Sequence, residues 1–260
     1  SERFTSDSRG NELNSETKLT RQAYQSSDKS RVAAMLAPAF SLGAVLRPSY
    51  SCGMKHFTLF ALALGVAFTS VAAEDEAGFK PLMDGKTFAS WKMATENTNT
   101  FRIEDGAFVA NGNRCHLFYV GDDQPFKNFH LKVDVMTDPV SNGGIYFHTK
   151  YQEKGWPKGG FECQVNNTQG DWIKTGSLYG LVNVAQSLAT DNKWWTQEII
   201  VEGNKVTVKV DGKIVLQYIE PAGAEAGKDF SRKLGEGTFA LQGHDPKSVV
   251  RYKNIRVKRL

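Results

Sequence analysis

Between Asn142 and Gln164 the chain sets reactive side chains on one parity of two strand-like runs and apolar ones on the other. Ile145 and Phe147 alternate with Tyr146 and His148, while Phe161, Cys163 and Val165 alternate with Glu162, Gln164 and Asn166. Successive strand residues point to opposite faces of a sheet, so one face should be buried and the other should carry an imidazole, a carboxylate and amides. A third run, Thr238 to His244, repeats the pattern, with Phe239 and Leu241 inward and Gln242 and His244 outward. Three such strands describe the floor of a sugar-sized site. A saccharide needs amides and carboxylates for its hydroxyls and an aromatic ring for its apolar face. Glu162, Gln164, Gln242, His148 and His244 supply the first; Trp156, Trp172, Tyr146 and Tyr179 are candidates for the second.

Each of these has a plainer reading. Glu162 and Gln164 could be solvated strand residues, although three adjacent polar strands argue against it. Trp91, Trp194 and Trp195 read as packing residues, whereas Trp156, in a Gly- and Lys-rich loop, is better explained by a ligand. His148 or His244 suits a base by its ordinary pKa, with Glu162 orienting it or serving as acid. The same two histidines and carboxylate could instead hold a divalent ion, the plainer alternative being hydrogen-bonded surface histidines.

The elements that must position these groups are short strands. Asp84-Gly85, Asp105-Gly106, Asn111-Gly112, Gly203-Asn204 and Asp211-Gly212 lie between apolar stretches and read as hairpin turns. Phe129, Leu131, Val133 and Val135 alternate with polar residues, as do Val206, Val208 and Val210. A last strand is expected from Val249 to Lys258, with Ile255 and Val257 inward. No helical period follows residue 73, and the Ala-Gly stretch Pro221 to Lys228 reads as a loop. Many short strands with polar turns predict an all-β sandwich of two antiparallel sheets. The plain strands over 197–218 should form the solvent-facing sheet, and those around 145, 162 and 241 the other.

The chain has 260 residues, with 32 Lys and Arg against 28 Asp and Glu. Residues 54–73 combine a short basic start, an apolar run from Phe57 to Phe68 and a small-residue ending at Ala72-Ala73, the pattern of an export signal. That run is too short for a permanent membrane span, so a periplasmic or extracellular product is expected. Residues 1–53 read as a spurious or disordered N-terminal extension. Removing residues 1–73 leaves 24 basic against 23 acidic residues, and no basic stripe that would suit nucleic acid. Residues 74–260 suit one domain. Of its two cysteines, Cys115 and Cys163, both on apolar parity, either a disulfide or two buried thiols is expected.

An ordered set of motifs resembles the 3-keto-disaccharide hydrolase domain family. It begins with Phe79-Lys80-Pro81-Leu82-Met83-Asp84-Gly85 and Trp91, and continues through Asn142-Gly143-Gly144-Ile145 and Gly160-Phe161-Glu162-Cys163-Gln164. Gly176-Ser177-Leu178-Tyr179, Trp195, Val210-Asp211-Gly212, Leu241-Gln242-Gly243-His244 and Lys253-Asn254-Ile255 complete it. The chain departs from the family pattern at His148, where Arg is frequent, and in the insertion Gln152 to Lys158. The resemblance implies a concanavalin-like jelly-roll sandwich and an exported enzyme acting on a small carbohydrate. Glucanases of that fold carry several carboxyl groups on one strand; here the strand offers only Glu162, so ordinary two-carboxylate hydrolysis is poorly supplied. A 3-keto sugar changes the demand, because the ketone acidifies the C2 hydrogen and one base can start an elimination that water then reverses. Gln164 or Gln242 could hold a hydroxyl or the oxyanion. The rival expectation is a non-catalytic carbohydrate-binding or surface interaction module on the same sandwich.

Overall fold

A computed structural model describes residues 76–260. The signal-like segment 54–73 and the extension 1–53 lie outside the described residues. Among those described there is no helix, and thirteen strands account for the regular structure. In chain order they are β1 (Lys80–Pro81), β2 (Trp91–Met93), β3 (Phe101–Glu104), β4 (Ala107–Ala110) and β5 (Cys115–Tyr119). β6 (Phe129–Thr137), β7 (Asn142–Thr149), β8 (Phe161–Asn166) and β9 (Trp195–Glu202) follow. β10 (Lys205–Val210), β11 (Lys213–Ile219), β12 (Thr238–Gly243) and β13 (Val250–Arg259) complete the chain.

Two antiparallel sheets result. The larger runs β11-β10-β9-β6-β13-β4-β3, with β1 also paired to β13; the smaller runs β2-β5-β12-β7-β8. One hydrophobic core joins them, and aromatic rings dominate it. Phe129 of β6 meets Phe147 of β7 edge-on with centroids 5.9 Å apart, and meets Phe239 of β12 at 5.0 Å. Such edge-to-face pairs add to the stabilisation that area burial gives. The inward parity expected of Phe161, Cys163, Val165, Phe239 and Leu241 is observed, each being 2% exposed or less. The antiparallel sandwich expected from the strand pattern is therefore the fold.

Two polar groups cross this interior. Gln197 of β9, wholly buried, donates through Nε2 to Cys163 Sγ (3.0 Å) and to the Gln164 carbonyl (3.1 Å). Tyr252 of β13 donates its hydroxyl to the Gln242 carbonyl (3.1 Å). Both tie the backbone of the smaller sheet to side chains of the larger one. Cys115 and Cys163 are separate buried thiols, and burial pushes them up to about 11 and about 12.

Three expected hairpin turns are present. Asp105-Gly106 joins β3 to β4, Gly203-Asn204 joins β9 to β10, and Asp211-Gly212 joins β10 to β11. At the first and last, both central residues have φ between +48° and +75°, the left-handed backbone that a two-residue hairpin matching strand twist demands. Asp84-Gly85 and Asn111-Gly112 are corrections. Each connects strands of different sheets, β1 to β2 and β4 to β5, so they are crossings between layers rather than hairpins.

Bulges alter parity at two further points. In β13 the register slips between Lys253 and Arg256, where Asn254 has φ +47°; Val250 and Tyr252 point inward before it, and Ile255 and Val257 after it. In β7 the residue with positive φ is His148, at +55°, and the pairing with β12 shifts beside it. That second bulge moves an expected site residue, as described below.

Truncation of Phe129 to Ala should cost about 3–5 kcal/mol, the scale for deleting a buried aromatic ring. Ile219→Lys, at a position 65% exposed, should change stability by less than about 0.5 kcal/mol. Urea unfolding of both variants checks the contrast.

Candidate functional site

β5, β12, β7 and β8 lie side by side, so outward residues of four neighbouring strands share one surface. Register completes the placement. Tyr146 is the direct partner of Glu162 across β7–β8, Ala240 pairs with Tyr146 across β12–β7, and Gln242 pairs with His116 across β12–β5. Over this surface opens a pocket of about 300 Å³ whose lining includes Tyr146, Glu162, Gln164 and Gln242. That volume is at the lower end of those that hold small ligands.

Glu162 is the centre of the floor. Its Oε2 accepts from the Tyr146 hydroxyl (2.7 Å) and its Oε1 from Gln242 Nε2 (2.7 Å), which also donates to the Tyr146 oxygen (3.0 Å). The carboxyl keeps a partial opening through the pocket while protein packs densely around it. Burial is the largest influence and raises its pKa from the ordinary 4.5 to about 7, against the lowering effects of the two hydrogen bonds and of Arg232; Asp171 pushes it further up. Burial, then the neighbouring Glu162 charge, holds Tyr146 well above its ordinary value, so its hydroxyl remains a proton donor. Gly144 makes room for this arrangement: a Cβ there would stand 2.6 Å from Glu162 Oε1.

Gln164, 1% exposed, accepts at Oε1 from the Val165 N–H (3.1 Å), and its Nε2 has no partner among the described residues. Tyr179 and Trp156 also line the pocket. Tyr179 donates to Asp171 Oδ2 (3.1 Å). Trp156 is half-buried between two imidazoles, with centroids 5.5 Å from His116 and 5.4 Å from His244. His244, just beyond β12, lines the pocket and uses Nδ1 on Asp245 Oδ2 (2.8 Å). Trp172, the remaining aromatic candidate, is 60% exposed and is not part of the lining.

His148 is the correction. Its left-handed backbone breaks the alternation that would have set it beside Tyr146. The ring packs instead against Phe129 and Phe147 (centroids 5.6 and 5.5 Å). Nε2 donates to the Lys127 carbonyl (2.9 Å) and Nδ1 accepts from the Gly235 N–H (3.2 Å), which together fix the tautomer. Burial lowers its pKa. The structure thus gathers Glu162, Gln164, Gln242, Tyr146, Trp156, Tyr179 and His244 and leaves His148 outside. The ligand trio imagined for a divalent ion does not converge, and among the described residues no three His, Cys, Asp or Glu side chains form such a group.

Several groups in or beside the pocket escaped sequence reasoning. His116 lies outside the lining, fully buried beside Tyr146; among the described residues neither ring nitrogen has a partner, and burial followed by the Arg114 charge lowers it to about 3. Its outward parity between Cys115 and Leu117 was the available signal, masked by the apolar neighbours. Buried Gln242 Oε1 and Asn142 Oδ1 are likewise unpartnered. Asp171 and Arg232 come from irregular loops, where no period marks a residue's direction.

The sequence profile of the 3-keto-alpha-glucoside-1,2-lyase-like domain matches residues 78–258, which is most of the chain and all of the sandwich but the end of β13. The chain belongs to that family. Solved structures agree on the fold. A "putative glycosyl hydrolase" from Parabacteroides distasonis is 22% identical with a TM-score of 0.60, over 72% of this chain and 96% of that one. A second protein of that name and organism is 21% identical with a TM-score of 0.54, over 70% and 99%. No curated protein matches the chain. The family supports a carbohydrate-active role for the domain, and the solved structures bear on its fold.

The raised pKa of Glu162 has a stability consequence whose sign is fixed. Between about 4.5 and about 7 the folded protein holds a proton that the unfolded chain has released. Stability from this group is therefore complete below the lower value and declines as pH rises through the upper. Glu162→Gln should raise the melting temperature relative to the parent more at pH 8 than at pH 5, which parallel thermal melts at the two pH values measure.

Proposed function

We propose that this protein is an exported enzyme that cleaves 3-keto-glycosides by elimination and rehydration, with Glu162 as the proton-transferring group. The observation that carries this reading is a carboxyl with a protonation midpoint near neutrality on the floor of a sugar-sized pocket. Such a group accepts and returns protons with comparable ease at pH 7. The family's lyase-like name supports elimination, and the signal-like segment 54–73 supports export.

The steps balance through one carboxyl. Ionised Glu162 takes the C2 hydrogen, which the C3 ketone acidifies, and an enolate forms. The enolate expels the C1 oxygen substituent, leaving a C1–C2 double bond conjugated to the ketone, and Glu162 gives its proton to the departing oxygen. In the return half Glu162 takes a proton from water as the hydroxyl adds to C1, then delivers it to C2. Tyr146 and Gln242 hold the carboxyl throughout. Gln242 Nε2 is already shared between Glu162 and Tyr146, so of the two amides considered from sequence, Gln164 Nε2 is the one free to meet the enolate oxygen.

Two other readings have specific support. Asp171 also lines the pocket, so a pair of carboxyls exists for conventional glycoside hydrolysis. Its oxygens, however, already accept from Tyr179 and from the Ile173 N–H. A binding module would need only the amides and Trp156. Incubating the purified protein with a 3-keto-disaccharide and with its unoxidised parent separates the three: cleavage of the keto form alone supports the proposal, cleavage of both favours the paired carboxyls, and binding without cleavage favours the module.

For the keto substrate, Glu162→Gln should lower kcat roughly 10²- to 10⁴-fold, the range for removing a general base. In the parent, kcat/KM should rise with pH through about 7 to a plateau, because Glu162 must start ionised. The groups around it (Tyr146, Gln242, Arg232 and Asp171) all contribute to that midpoint. His148→Asn should leave the pH profile in place while reducing thermal stability, since His148 serves packing; a lost profile in that variant would return His148 to the chemistry.

A further inference from the structure

Every arginine among the described residues reaches a carboxylate except one. Arg102 pairs with Glu104, Arg114 with Glu96, Arg251 with Asp138, Arg256 with Glu76 and Arg259 with Asp122. Among the described residues Arg232 has no hydrogen-bond or ion-pair partner; its Cζ lies 5.6 Å from the centroid of the Phe230 ring, and its charge acts at longer range on Glu162 and Tyr179. Yet it is half-buried and it lines the pocket over Glu162, where it is the only Lys or Arg.

Its placement is held rather than loose. The Arg232 backbone has φ +41°, a strained conformation for a non-glycine residue that persists only when its surroundings impose it. Ser231 donates its N–H to the Lys158 carbonyl (2.8 Å) and accepts at Oγ from the Gly160 N–H (2.8 Å), which fastens the loop to the start of β8. On the other side the Leu234 N–H donates to Glu220 Oε2 (2.7 Å). The guanidinium lies against Gly180, where a Cβ would come within 2.6 Å of Nη2, so only the missing side chain lets it in. The pocket carboxylate nearest in kind, Asp171, forms no ion pair with Arg232 and spends its oxygens on Tyr179 and Ile173.

We propose that Arg232 is a subsite for an oxyanion carried by the saccharide, so that the pocket selects acidic glycosides bearing a carboxylate or a sulfate. A guanidinium presents paired N–H donors in a planar fork that matches two oxygens of such a group, and a partly desolvated fork with every donor unused gains most from that match. A neutral hydroxyl would use one donor and bring no charge of its own to the guanidinium. The inference rests on reading the pocket as a saccharide site, and is independent of the chemistry assigned to Glu162.

The test measures binding by calorimetry, in the Glu162→Gln protein so that no turnover intervenes. The probes are the 3-keto forms of methyl glucoside, methyl glucuronide and methyl glucoside 6-sulfate. At least one acidic probe should bind more tightly than the neutral one, and the tighter of the two identifies the group. Arg232→Gln should erase that preference, weakening the acidic probe roughly 10- to 100-fold and the neutral one little, the scale of a charge-assisted paired hydrogen bond. Arg232→Lys, which keeps the charge and loses the fork, should fall between, with thermal melts verifying that both variants fold. Equal binding of all three probes, unchanged in Arg232→Gln, overturns this proposal and leaves the saccharide reading standing. No binding by any probe overturns both.

Discussion

A carboxyl group densely packed in protein and open to water only through one pocket is the constraint around which the smaller sheet is organised. Burying an ionised carboxylate is expensive, and the molecule meets the cost partly by shifting the group toward its neutral form and partly by supplying two donors. The two donors depend on the strand order: Tyr146 and Glu162 come from the consecutive strands β7 and β8, while Gln242 reaches them because the chain returns to this sheet as β12 after β9, β10 and β11 of the larger one. The two effects oppose each other: burial pushes the group toward its neutral form, and the hydrogen bonds push it toward its anion. Their balance leaves it near the midpoint.

The larger sheet contributes at a distance. Gln197 and Tyr252 reach through the hydrophobic interior to carbonyls of Gln164 and Gln242, so the backbone beneath the pocket is anchored from below. Aromatic rings fill the space between, and tight packing of this kind transmits position well because it has little slack. On the far surface of the same sheet, Glu76 ties Lys132 and Arg256 together, and Glu198 meets His130. One sheet therefore bears the reactive groups, and the other fixes where they stand.

Much of this was legible from alternation alone. The sandwich, the inward set Phe161, Cys163 and Val165, and the outward set Glu162, Gln164 and Gln242 all follow from a period of two, because nothing interrupts β8 or β12 between those residues. His148 was misplaced because a single left-handed residue ends the alternation, and a histidine gives no warning of that as a glycine would. Asn111-Gly112 was misread for a different reason: turn chemistry reports a reversal locally but not which sheet receives the next strand. His116 was hidden by its company, as an inward and an outward apolar residue look alike in sequence. The loop residues Asp171 and Arg232 had no period to reveal them, and only the folded chain brings them over the strand floor.

The two unlinked thiols bear on how the molecule can be made. Cys115 and Cys163 sit inside the packed interior as ordinary apolar-like groups, with burial disfavouring the thiolate that any exchange reaction requires. No covalent cross-link between them contributes to the sandwich. The sandwich of residues 76–260 consequently holds together without a disulfide, so its native state requires neither an oxidising compartment nor a disulfide-forming catalyst.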